Sequence, residues 1–131
     1  MHKFWLILGF VMLGVLVGGC GDGEEATNVG GQRAVERVGD AVAGEALFQT
    51  TCFACHGTDA TGLPGQGKDL TASTFTQGLS DVEFVEFVKN GRKITDPLNN
   101  TGVDMPPYGG NPALTEQDLF DIVAYIRSLE K

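Results

Sequence analysis

Cys52-Phe53-Ala54-Cys55-His56 sets two thiols three positions apart, with an imidazole directly after the second. On one helical turn, that order presents both sulfurs to the two vinyl groups of a single porphyrin and leaves the histidine beneath the metal. C-x-x-C-H is the pattern of covalent c-type haem attachment, in which the histidine supplies an axial nitrogen. Moving any of the three residues would break the geometry. Competing uses of the same residues lack material. A structural zinc site wants four nitrogen or sulfur ligands, and beyond the N-terminal segment the chain offers only Cys52, Cys55 and His56. A redox dithiol would need a βαβ context around its C-x-x-C, and no parallel-strand pattern surrounds this one.

Histidine occurs only at His2 and His56, and methionine only at Met1, Met12 and Met105. If the apolar N-terminus lies outside the folded part, His56 and Met105 are the strong axial-ligand candidates of their types. Met105 follows His56 by 49 residues and precedes Pro106 and Pro107. Met-Pro-Pro-Tyr-Gly-Gly reads as a loop, where a methionine filling a core would instead sit in a periodic helix. A His/Met pair raises a haem's potential relative to bis-histidine ligation.

The helix signals are brief and well separated. Asp40 is a candidate N-cap for a helix carrying Val42, Leu47 and Phe48 toward Cys52. Ser80-Asp81-Val82-Glu83 has the capping-box pattern ahead of Phe84, Val85, Phe87 and Val88, with Asn90-Gly91 as the stop. Thr115-Glu116-Gln117-Asp118 opens a last helix in which Leu119, Ile122, Val123, Ile126 and Leu129 recur at three- and four-residue steps. Between these helices lie two long loops, 57–79 and 92–113, the second holding Met105 among Pro97, Pro106, Pro107 and Pro112. Prolines restrict the backbone and stiffen such a loop.

With these residues in order, the stretch from about Ala41 to Lys131 resembles a class I cytochrome c. The resemblance rests on Gly44, Phe48, Cys52-x-x-Cys55-His56-Gly57, Met105-Pro106 and the closing Tyr125-Ile126-Arg127-Ser128-Leu129. It implies an all-α fold of three main helices and long loops wrapped around one haem c, covalent through Cys52 and Cys55 and ligated by His56 and Met105. It also implies that the last helix crosses the first, with Phe48 and Tyr125 near the crossing and Gly44 permitting close approach. Relatives often carry Gly-Pro-x-Leu where this chain has Gly67-Lys68-Asp69-Leu70. The carbonyl that would hold the ring of His56 is therefore expected from Lys68 or from the loop around Pro64. The propionate-binding tryptophan of some relatives is absent, because Trp5 is the one tryptophan. Arg92, Lys93 and Tyr108 are candidates to bond a haem propionate, against the reading of solvent-facing loop residues.

From Phe4 to Gly19 run 16 uncharged residues, preceded by Lys3 and ending at Cys20. That is short of the about 20 residues of a spanning helix, and the charged start and apolar middle are those of a secretory signal. Leu16-Val17-Gly18-Gly19-Cys20 resembles a bacterial lipobox, whose cysteine is acylated and left as the new N-terminus. Residues 1–19 thus read as a signal peptide or an uncleaved anchor, residues 20–39 as a flexible tether, and residues 40–131 as the haem domain. Either reading holds the domain on a cell membrane, on its periplasmic or extracytoplasmic side. The cysteine count then closes, with one for lipid and two for haem.

The formal charge is −8 over the whole chain, which excludes nucleic acid as a partner and favours redox partners with a basic docking face. Ligated on both sides, the iron would have no open position, so the expected role is a non-enzymatic electron carrier. Its partners would be a quinol-oxidising complex, a terminal oxidase or a photosynthetic reaction centre. A fixed subunit is also open, resembling the single-haem lipoproteins of alternative complex III. The alternative from another class is a haem enzyme, or a gas or peroxide sensor, in which Met105 dissociates.

Overall fold

The computed structural model describes residues 37–131. The expected leader or anchor, the expected acylation site Cys20 and all but the last three residues of the expected tether lie outside the described residues. The fold comprises α1 (Ala41–Thr51), α2 (Phe53–His56), α3 (Thr74–Gln77), α4 (Asp81–Asn90) and α5 (Glu116–Ser128), with a 3-10 turn at Pro107–Gly110. Among the described residues there is no β-strand, only isolated bridges pairing Leu63 with Gly67 and Arg92 with Met105. The three long helices are those expected. The short helix α3 falls inside a segment read as loop.

Each long helix begins at a side chain that satisfies backbone N–H groups left free in a first turn. The Asp40 carboxylate accepts from the amides of Val42 and Ala43. Full capping boxes open the other two, Ser80 with Glu83 and Thr115 with Asp118. Hydrogen bonds from Ser80 hold the Glu83 carboxyl below its ordinary value, and those from Thr115 do the same for Asp118.

The core forms where α5 lies against α1 and α4. Leu119, Ile122, Val123 and Ile126 present the stripe read from their spacing, all buried, with Leu129 half-buried at the end. Phe48 is fully buried, and its ring meets that of Tyr125 at 5.4 Å between centroids, tilted by 56°, a favoured aromatic arrangement. The crossing is close because of Gly44: a Cβ there would stand 1.9 Å from the Asp121 carbonyl oxygen. Val42 does not share this face. It is 80% exposed, because α1 meets α5 through Gly44 and Phe48, one turn apart, and Val42 projects elsewhere.

The segment preceding α1 is fastened to the start of α5. The Asp40 N–H donates to buried Asp121 at 2.8 Å, and Gln117 donates both to that carboxylate and to the Val38 carbonyl. Arg37 pairs with Glu116 at 2.6 Å. Arg127 closes the other end of α5, donating to the carbonyl of Thr76 and to the carboxylates of Asp81 and Glu130.

Candidate cofactor crevice

The C-terminal end of α1 delivers the pentapeptide. The Cys52 amide donates to the Phe48 carbonyl as α1 ends, and α2 starts at once, carrying Cys55 and His56. The following loop then doubles back. Gly62 donates to the His56 carbonyl at 2.7 Å and Leu63 to the Cys55 carbonyl at 3.1 Å. This return brings the Lys68 carbonyl to 2.9 Å from His56 Nδ1. A carbonyl only accepts, so Nδ1 carries the hydrogen and Nε2 keeps its lone pair. Of the two partners expected for the ring, it is Lys68 that supplies the bond. Burial lowers the imidazole's pKa, with the Lys68 bond opposing, which favours the neutral ring, the form that ligates metals.

Met105 comes from the other long loop. Its amide and carbonyl exchange hydrogen bonds with those of Arg92, both at 2.8 Å. Gly91 makes the approach possible at φ +67°, since a Cβ there would lie 2.3 Å from the Met105 carbonyl oxygen. The end of α4 is thereby clipped to the Met-Pro-Pro segment, which leaves Met105 half-buried against the core.

His56, Cys52, Cys55 and Met105 all line one crevice, which encloses about 1170 Å³ counting its open mouth. Its walls include Phe48, Phe84, Val88, Ile122 and Ile126 from the three long helices, with Phe75 and Phe87. The residues fit a covalent haem on several counts. The walls are mainly apolar, the two cysteines are free, and the histidine has one ring nitrogen already committed. Burial, helped by the neighbouring Cys55, pushes the Cys52 thiol up to about 12. A reactive dithiol needs the opposite shift, whereas a thioether sulfur needs no charge. Among the described residues there is no cluster of three or more His, Cys, Asp or Glu able to hold a metal ion.

The three propionate candidates separate. Arg92 lines the crevice, with its guanidinium 4.3 Å from the ring centre of Phe75 and 4.7 Å from that of Phe87. Its Nε is the buried side-chain atom without a hydrogen-bond partner among the described residues. Lys93 is 72% exposed and faces Asp104. Tyr108, half-buried at φ +54°, packs on the core cluster. Little in the sequence marks Phe75 and Phe87 as crevice residues; the one local signal is the Ser73-x-x-Thr76 cap that starts α3, where the Ser73 hydroxyl accepts from the Thr76 amide.

Residues 41–130 match the Cytochrome c family, and the chain belongs to it, as a class I monohaem cytochrome with covalently bound haem c. It is 35% identical over 88 residues to cytochrome c-555 of Chlorobaculum thiosulfatiphilum, covering 66% of this chain and 93% of that protein. With cytochrome c-554(548) of Halomonas halodenitrificans (strain ATCC 12084 / NCIMB 8669), it shares 35% over 92 residues, covering 70% of this chain and 99% of the other. It is also 31% identical over 88 residues to the Cbb3-type cytochrome c oxidase subunit FixP of Sinorhizobium medicae (strain WSM419). There the match covers 66% of this chain but only 29% of the subunit. No solved structure matches. Family membership makes electron transfer by haem c the activity of this domain.

Proposed function

We propose that Cys52 and Cys55 form the thioethers, that His56 and Met105 ligate the iron, and that the domain is an outer-sphere electron carrier held at a membrane surface. The observation that carries this reading is that one crevice gathers all four side chains, with the histidine already oriented by Lys68. Bound haem supplies a one-electron Fe(III)/Fe(II) couple. The chain's part is to exclude water with its apolar walls, fix the imidazole, and hold the thioether on a loop clipped to the end of α4. The rigid frame limits rearrangement when the charge changes.

Replacing Met105 by alanine tests the ligand set. The oxidised variant is expected to lose the far-red sulfur-to-iron absorption band and to show a lower reduction potential, while its covalent haem survives acid-acetone extraction. An unchanged spectrum would remove Met105 from the iron.

Attachment and partners belong to the same proposal. No helix among the described residues is long and apolar enough to cross a membrane, so anchoring rests on residues 1–20, through acylated Cys20 or an uncleaved apolar segment. The domain would then face the periplasmic or extracytoplasmic side and exchange electrons with a quinol-oxidising complex, a terminal oxidase or a reaction centre. Its acidity favours a basic docking face on that partner. Extraction in mild detergent followed by size analysis decides how it works. Co-purification in fixed ratio with multihaem proteins makes it a subunit of a larger complex, and a lone small cytochrome makes it a shuttle.

A further inference from the structure

We propose that Arg92 is a built-in cation of the haem crevice that raises the reduction potential, with Asp96 as its counterweight. Arg92 immediately follows Gly91, where α4 stops, and its backbone is locked to Met105 by two hydrogen bonds of 2.8 Å. The side chain is therefore anchored at its root. Its head lies against both Phe75 and Phe87, whose rings are 5.1 Å apart in an edge-to-face pair. Only 11% of the side chain is exposed. An arginine held this way is positioned rather than solvated, since ring faces attract a cation without neutralising it.

Its partners are few. Asp96 Oδ2 lies 3.4 Å from Nε, within ion-pair range, yet Nε makes no hydrogen bond. Asp96 is itself engaged, accepting from the Leu98 amide through Oδ1 at 2.8 Å, and its side chain is 37% exposed. A permanently charged donor thus faces a crevice meant for a cofactor that carries carboxylates. Next in sequence, Lys93 shows the contrast: with its ammonium in solvent, its charge is screened.

Reduction adds one electron from the donor protein to the iron and lowers the charge of the centre by one. A fixed positive charge in the wall favours that state, and a nearby negative charge opposes it. Removing Arg92 should therefore lower the potential, and neutralising Asp96 should raise it. A residue that only fills space would not give opposite signs.

The inference rests on haem occupying this crevice, and the test separates the two ideas. Potentials of intact holoprotein are measured by spectroelectrochemical titration for wild type, Arg92→Gln, Arg92→Lys, Asp96→Asn and the surface control Lys93→Gln. Arg92→Gln is expected to shift the Fe(III)/Fe(II) equilibrium about tenfold toward the oxidised form, the order set by one unit charge across a small protein crevice. For one electron that is about 59 mV. Arg92→Lys should keep most of the wild-type value, Asp96→Asn should shift it upward by a smaller factor, and Lys93→Gln should barely move it. Arg92→Gln and Asp96→Asn both matching wild type, or both shifting the same way, would overturn the proposal. Should Arg92→Gln fail to assemble, Asp96→Asn decides alone: a rise supports the proposal and no change defeats it. The far-red band serves as the control, because its loss in a variant faults the seating of Met105 and not the charge argument.

Discussion

A chain in which Cys52 and Cys55 are both alanine is expected to purify without bound porphyrin and with most of its helical signal gone. Cys52 sits at the junction of α1 and α2 and Cys55 within α2, and both line a crevice walled by Phe48, Phe84, Val88, Ile122 and Ile126. These side chains come from all three long helices, so the space they enclose is the middle of the fold. Emptying it leaves their inner surfaces to water or to collapse. Domains of this size bury a modest share of their surface, and total stability is about 5–15 kcal/mol. Loss of a large apolar plate from the centre should consume most of that. Circular dichroism and acid-acetone extraction of the variant check both parts. Absorbance that remains with the protein after extraction would show attachment elsewhere, and a native-like melt without haem would show that the helices stand alone.

Gly44→Val is expected to cost roughly 3 kcal/mol or more, the upper end for overpacking a tight contact. Any side chain at this position starts with a Cβ 1.9 Å from the Asp121 oxygen, 2.3 Å from its carbonyl carbon and 2.9 Å from the Ile122 nitrogen. All three are backbone atoms of α5, so no rotamer change relieves the clash and the helices must part. Separation at Gly44 also pulls Phe48 away from Tyr125 one turn on. For a domain near 100 residues, about 3 kcal/mol lowers the melting temperature by roughly 12–24 °C. Thermal unfolding of the oxidised holoprotein measures it, with Glu45→Ala, at an exposed neighbouring position, as the control expected to stay within about 0.5 kcal/mol. A wild-type melt for Gly44→Val would mean that α1 and α5 do not meet there.

The parts of the fold that could be read in advance are those whose chemistry is local. The pentapeptide declares its use in five consecutive residues, and the three long helices announce themselves by Asp40, Ser80 and Thr115 caps with apolar spacing behind them. The α5 stripe is reliable because four of its positions repeat the same face. Val42 shows the limit of that method. Periodicity assigns an apolar residue to a helix but not to its buried side, which depends on where the partner crosses. The short helix α3 offered four residues and no period. Arg92, beside a lysine in a proline-rich loop, reads as hydrated, and only the folded chain brings Phe75 and Phe87 together beneath it. The Lys68 carbonyl lay between: its position in Gly67-Lys68-Asp69-Leu70 suggested it, and the return of the loop past Cys55 and His56 selects it over the Pro64 region.

The fastening of residues 37–40 to α5 has a mechanical consequence. A force transmitted through the chain upstream of Arg37 is met first by the Arg37–Glu116 pair, the Gln117 contact with Val38, and the Asp40–Asp121 bond. These links are loaded together, ahead of α2, which carries His56, and of the loop that carries Met105. A domain dragged or jostled through its N-terminal side would therefore load the first two turns of its last helix before it loaded the segment that holds Met105.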